Sequence, residues 1–123
     1  MRRFMLLGAL AGLAGCVAPE PQVVFVQPQP VARACDTSFR VVNASGRTVE
    51  QLYFSHSSLG GWGVDQLGAN VLPPGRSASY VASNTGDYDF RVVWSGGGAA
   101  EIRRVNVCRA SQITVTNRGL SAS

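Results

Sequence analysis

The 123-residue chain reads as an all-β protein, a small immunoglobulin-like β-sandwich of about seven short strands. Three observations carry this. No window sustains the 3.6-residue apolar period of an amphipathic helix. From Asp36 onward, apolar residues alternate with polar ones at a period of two, the pattern of strands with one buried face. Turn-forming clusters separate these runs at short intervals, as they do in sandwiches and small barrels.

Each run has its own justification. Phe39 and Val41 alternate with Arg40 and Val42, and NASGR, Asn43 to Arg47, is rich in turn formers. Leu52 and Phe54 alternate with Tyr53 and Ser55, and a Gly-rich loop, His56 to Gly68, follows. In VLPPGRSASYV, Pro74-Gly75 fits the centre of a type II turn. SNTGD, Ser83 to Asp87, is another turn. YDFRVVWS puts Tyr88, Phe90, Val92 and Trp94 on one face and Asp89, Arg91, Val93 and Ser95 on the other. Gly96-Gly97-Gly98 breaks that run. AEIRRVNVC resumes it with Ile102 out of phase with Val105 and Val107, and a bulge near Arg103-Arg104 restores the phase. The last run is Gln112 to Thr116, with Ile113 and Val115 inward.

The domain, residues 35–123, is preceded by two segments of different character. Met1-Arg2-Arg3 is a short positive stretch, and Phe4 to Ala14 is an apolar run of 11 residues. That length suits a secretory h-region and falls short of the roughly 20 residues of a bilayer span. Leu13-Ala14-Gly15-Cys16 matches the lipobox pattern, and the segment resembles a bacterial lipoprotein signal. The resemblance implies removal of residues 1–15 and acylation of Cys16. The membrane then becomes a partner, held through acyl chains. A single chain retains a protein only marginally and two or three retain it durably. It further implies a periplasm-facing position in the bacterial envelope. Val17, where Asp would favour the inner membrane, points to the outer one. Residues 16–34 carry the lipidated Cys and a Pro-rich linker, VAPEPQVVFVQPQPVARA, a semi-rigid tether that reaches on the order of 50 Å. Val23-Val24-Phe25-Val26 interrupts it and reads as a short strand of the domain or an edge-strand contact.

The stretch from about Arg40 to Val115 resembles a family of small exported bacterial β-proteins of uncharacterised activity. VVNASGRTV, WGVDQLG followed by VLPPG, YDFRVVW and VNVC carry the likeness. It implies the fold and adds nothing on chemistry. With Cys16 acylated, the odd count of three cysteines leaves Cys35 and Cys108 to each other. An exported protein meets an oxidising compartment, so a disulfide is expected between them.

Charge and residue types narrow the function. All 11 basic residues are Arg, and removing residues 1–15 leaves 9 against 7 acidic groups. That balance argues against nucleic acid as a partner. His56 is the only His and its neighbours Ser55 and Ser57 point to the opposite strand face, so no Ser-His-acid triad is expected. One His and two bonded Cys leave too few ligands for a metal site, and no glycine run matches a phosphate or dinucleotide loop. No cofactor and no enzymatic activity are expected. The binding candidates are Trp62, flanked by glycines, and Arg91, which shares a strand face with Asp87 and Asp89. Trp62 either presents its ring to a partner or lies back as a lid on one end of the sandwich. The expected function is a lipid-anchored envelope protein with a structural or interaction β-domain. The alternative is a binder or inhibitor of an envelope enzyme or glycan through the loop around Trp62.

Overall fold

Alternating sequence becomes strand where one face finds a core, and seven segments do so in the computed structural model, which describes residues 35–123. The signal segment, Cys16, the linker and Val23–Val26 lie outside the described residues. The strands are β1 (Ser38–Asn43), β2 (Val49–His56), β3 (Ser77–Val81), β4 (Asp87–Trp94), β5 (Ala99–Asn106), β6 (Gln112–Thr116) and β7 (Gly119–Ala122). No helix occurs among the described residues.

The strands form a four-stranded sheet, order β3-β1-β6-β7, and a three-stranded sheet, order β2-β4-β5. Between them lie the inward positions expected from the alternation. Phe39 and Val41 come from β1, Leu52 from β2, Tyr88, Phe90, Val92 and Trp94 from β4, and Ile113 and Val115 from β6. The sandwich is therefore as predicted. Its wiring differs from the immunoglobulin pattern, in which the sheets run ABED and CFG with antiparallel neighbours. Here β1 and β6 are parallel and the remaining strand pairs antiparallel. β7 was not apparent in the sequence. It follows β6 after Asn117-Arg118 and pairs Thr116 with Gly119.

Two local predictions are met. Gly75 has φ 86° and the Arg76 N–H donates to the Pro73 carbonyl at 3.1 Å, which is a type II turn. In β5 the register jumps from Val105 opposite Tyr88 to Ile102 opposite Phe90. Arg103 and Arg104 together face Asp89, and Arg104 takes a left-handed φ of 57°. This is the bulge that the phase shift required, and it lets both Ile102 and Val105 turn inward.

The long connection from Ser57 to Arg76 guards the exposed edge of β2. Leu52 donates its N–H to Asp65 Oδ1, the Gln66 N–H donates to the Leu52 carbonyl, and Val49 and Leu72 exchange both backbone bonds at 2.9 Å. Leu67 and Leu72 are buried beneath the connection. A strand edge covered in this way cannot pair with another chain.

The two ends of the sandwich differ. One is aromatic: Phe39 meets Phe54 and Phe90 edge-on at 5.0 and 5.3 Å, and Phe54 meets Tyr80 at 5.2 Å. The other is polar. Asn43 is fully buried and donates from Nδ2 to the carbonyls of Arg47 and Leu72 at 2.8 and 2.9 Å. Its Oδ1 accepts from the Ser45 N–H and hydroxyl, and the Trp94 indole N–H donates to Ser45 Oγ. Cys35 and Cys108 form a disulfide with Cα atoms 5.4 Å apart across a sequence separation of 73, fastening the start of the domain to the β5–β6 turn.

Candidate functional site

The outer face of the β2-β4-β5 sheet carries charges in a ladder. Arg91 Nη1 donates to Glu101 Oε2 at 2.6 Å. Arg103 reaches Glu101 Oε1 at 2.8 Å and Asp89 Oδ2 at 3.1 Å. Asp89 is the anchor of this ladder, with a side chain only 11% exposed. Its Oδ1 accepts from the Ser57 hydroxyl at 2.7 Å and from the Arg104 N–H at 2.9 Å. The carboxylate thereby holds the bulge in place. Its place on the outward face of YDFRVVWS is as the sequence indicated; its burial and its three partners were not.

Desolvation raises the Asp89 pKa, but the Ser57 hydroxyl, the Arg104 amide and Arg103 outweigh it and hold the carboxyl below its usual range. Hydrogen bonds from Arg103 and Arg91 hold Glu101 low as well. A depressed folded-state value contributes stability that is present above the unfolded carboxylate range, about pH 4, and is lost as pH falls through the folded value. Equilibrium unfolding should thus show stability declining below about pH 4. Asp89→Asn should lower stability at pH 7 and flatten that acid limb. An acid limb as steep as in the unmodified protein would remove Asp89 from the account.

Trp62 lies over this ladder. Its ring sits 4.9 Å from the Arg103 guanidinium carbon, a cation–π stack on a group already held by two carboxylates. Ser55 Oγ donates to the Gly61 carbonyl at 2.9 Å, fixing the chain just before the ring. The ring is half-buried, stacked on Arg103 from the three-stranded sheet. It separates two hollows. The smaller, about 140 Å³, contains Asp89 and Arg103. The larger, about 460 Å³, is a groove between the Ser57–Gln66 segment and the end of β3, with Phe54, Tyr80 and Tyr88 among its lining. Arg91 does not line either hollow.

The groove carries an apolar rim. Leu59, Val64 and Val81 are 63%, 70% and 70% exposed and all three line it. Leu59 and Val64 come from the Gly-rich loop and Val81 from the end of β3, and nothing in the sequence pattern joined them. No Asp, Glu or Arg lines the groove. Burial, with the nearby Asp65 carboxylate second, pushes the Tyr80 hydroxyl above its ordinary value, so it stays a neutral donor.

His56 also lines the groove. The hydroxyl it meets belongs to Ser58, at 2.8 Å from Nδ1, rather than to Ser55 or Ser57. Nε2 lies 3.2 Å from the Thr85 carbonyl. A carbonyl only accepts, so Nε2 carries the proton, and a backbone oxygen stands where a triad would place a carboxylate. Gly86 makes room for this arrangement. Its φ is 111°, and a Cβ there would stand 2.8 Å from Nε2. Among the described residues no three His, Cys, Asp or Glu side chains gather as metal ligands.

No known protein family, no curated protein and no solved structure matches the chain.

Proposed function

We propose that the chain is a lipid-anchored protein of the bacterial envelope, facing the periplasm from the outer membrane. Its β-domain is a non-catalytic interaction module that docks an envelope protein or glycan in the groove beside Trp62. One observation carries the docking part. Leu59, Val64, Val71 and Val81 are the large hydrophobic side chains exposed among the described residues, and all but Val71 line one groove. Solvent-exposed apolar side chains that converge on a concave aromatic floor mark interaction surfaces. The anchor rests on Leu13-Ala14-Gly15-Cys16 after an apolar run of 11 residues.

Two substitutions test the two halves. Cys16→Ser should abolish acyl labelling and membrane retention; unchanged labelling would end the anchor reading. Val64→Asp should leave the melting temperature nearly unchanged, because an exposed side chain contributes within about 0.5 kcal/mol, while retention of the envelope partner by the lipidated protein falls. Trp62→Ala should lower stability by about 1 kcal/mol through loss of the Arg103 stack and weaken partner binding by about 2 kcal/mol. Full retention by both variants would remove the groove from the proposal.

A further inference from the structure

We infer that the groove takes an extended peptide segment of its partner, which adds as a strand to the free edge of β3 and seats an uncharged apolar side chain beside Trp62. This rests on the docking reading above and deepens it. β3 pairs with β1 and has no second neighbour among the described residues. The Asn43 N–H donates to the Arg76 carbonyl and the Ala82 N–H to the Thr37 carbonyl. With Phe39 opposite Tyr80 and Val41 opposite Ala78, the alternation of an antiparallel ladder gives residues 78 and 80 to β1 as well. Ser77, Ser79 and Val81 therefore turn their N–H and C=O groups outward. The edge they form runs for about 13 Å at strand spacing.

β2 meets the same hazard with a covering loop, whereas no described segment covers the outer edge of β3. It lacks the usual protections too, since neither a bulge nor a Pro interrupts Ser77–Val81. The groove opens along the C-terminal part of this edge. Tyr80 and Val81 form one wall, and Trp62, Val64 and Gln66 form the other. An extended segment in that position gains main-chain bonds from β3 and side-chain contact from the facing wall, the pattern of strand addition. Charge selects the anchor. His56 is the only ionisable side chain lining the groove besides the Tyr80 and Tyr88 phenols, so a carboxylate or ammonium entering it would be desolvated without an opposite charge. A glycan fits less well. Ser55, Gln66, Ser83 and Asn84 in the lining could meet sugar hydroxyls, but a sugar cannot match a row of backbone groups at strand period.

The test uses the full lipidated chain in detergent micelles against a displayed library of random heptapeptides. The enriched peptide is then synthesised plain and with alternate amides N-methylated. Enriched sequences should carry an apolar residue, without charge, at one fixed position. Binding of the plain peptide should slow hydrogen exchange at the Ser77, Ser79 and Val81 amides. Methylation on the bonding edge should weaken it about tenfold, and methylation on the other edge much less. Val81→Pro should do the same, since the Val81 N–H serves no ladder bond and its loss leaves β1–β3 intact. The methylated peptides give the answer even where that variant misfolds. The inference falls if no peptide is enriched, if a peptide binds with edge-amide exchange unchanged, or if concentration-dependent self-association alone protects the edge. It falls too if a neutral hexamer of N-acetylglucosamine binds in the peptide's place. Partner loss in Val64→Asp with no change in Val81→Pro would keep the groove as a docking site and reject strand addition.

Discussion

Asn43→Ala should lower the unfolding free energy by about 3–5 kcal/mol, the largest effect of any single truncation of a polar residue in this domain. The side chain is completely buried and donates to two carbonyls at the polar end of the sandwich, those of Arg47 and Leu72. It also accepts from the Ser45 backbone. Alanine would leave the Ser45 N–H without a partner where water has no ready access, and would take one of two donors from each carbonyl, since Leu72 keeps the Val49 N–H and Arg47 the Ser45 hydroxyl. Asn43→Asp should be at least as damaging at pH 7 despite equal size, because an oxygen would then face two carbonyl oxygens. Chemical denaturation of the two variants is the check. A loss below about 1 kcal/mol for Asn43→Ala would mean that the network is replaced by solvent at little expense.

Cys35→Ala or Cys108→Ala should lower the unfolding free energy by about 2–5 kcal/mol. The bridge joins residues 73 apart in sequence, and a loop of that size gives about 4 kcal/mol in the chain-entropy account. For a domain of this size that is a large share of total stability. The double variant should be no worse than either single one, since each single change already opens the loop. Denaturation with and without a reducing agent measures this. Insensitivity of the midpoint to reduction would contradict it.

The parts of the fold that were legible in the sequence are those set by side-chain period. YDFRVVWS shows its buried face directly, and Ile102 being out of step with Val105 revealed the bulge because only an extra residue can return both to the core. The type II turn was legible because Pro74-Gly75 fixes two φ values of opposite sign. What is not legible depends on partners distant in sequence. β7 is short and its GLSA has no sustained alternation, so only its pairing with β6 makes it a strand. Asn43 looked like a turn former, and residue type does not distinguish an amide facing water from one buried beneath Leu72. The glycines around Trp62 suggested a free loop, whereas Asp65, Gln66 and Leu72 tie the connection to β2. Strand order was not legible, because alternation says which face is buried and nothing about which strand lies alongside. Trp62 stood out in the sequence as a binding candidate, but the residues that line the groove beside it did not. Leu59, Val64 and Val81 are single exposed apolar residues in the sequence and become a surface only when β3 is brought beside the 57–68 segment.

The most direct test of the docking groove is site-specific photocrosslinking in intact cells. The full-length protein would carry a photoreactive side chain at Leu59 in one strain and at Val71 in another. Both positions are exposed, at 63% and 47%, and only Leu59 lines the groove. Irradiation should yield a discrete adduct from position 59 and none from position 71, and Val64→Asp should abolish it. Equal labelling from both positions, or an adduct from Val71 alone, would contradict an interaction module built on this groove.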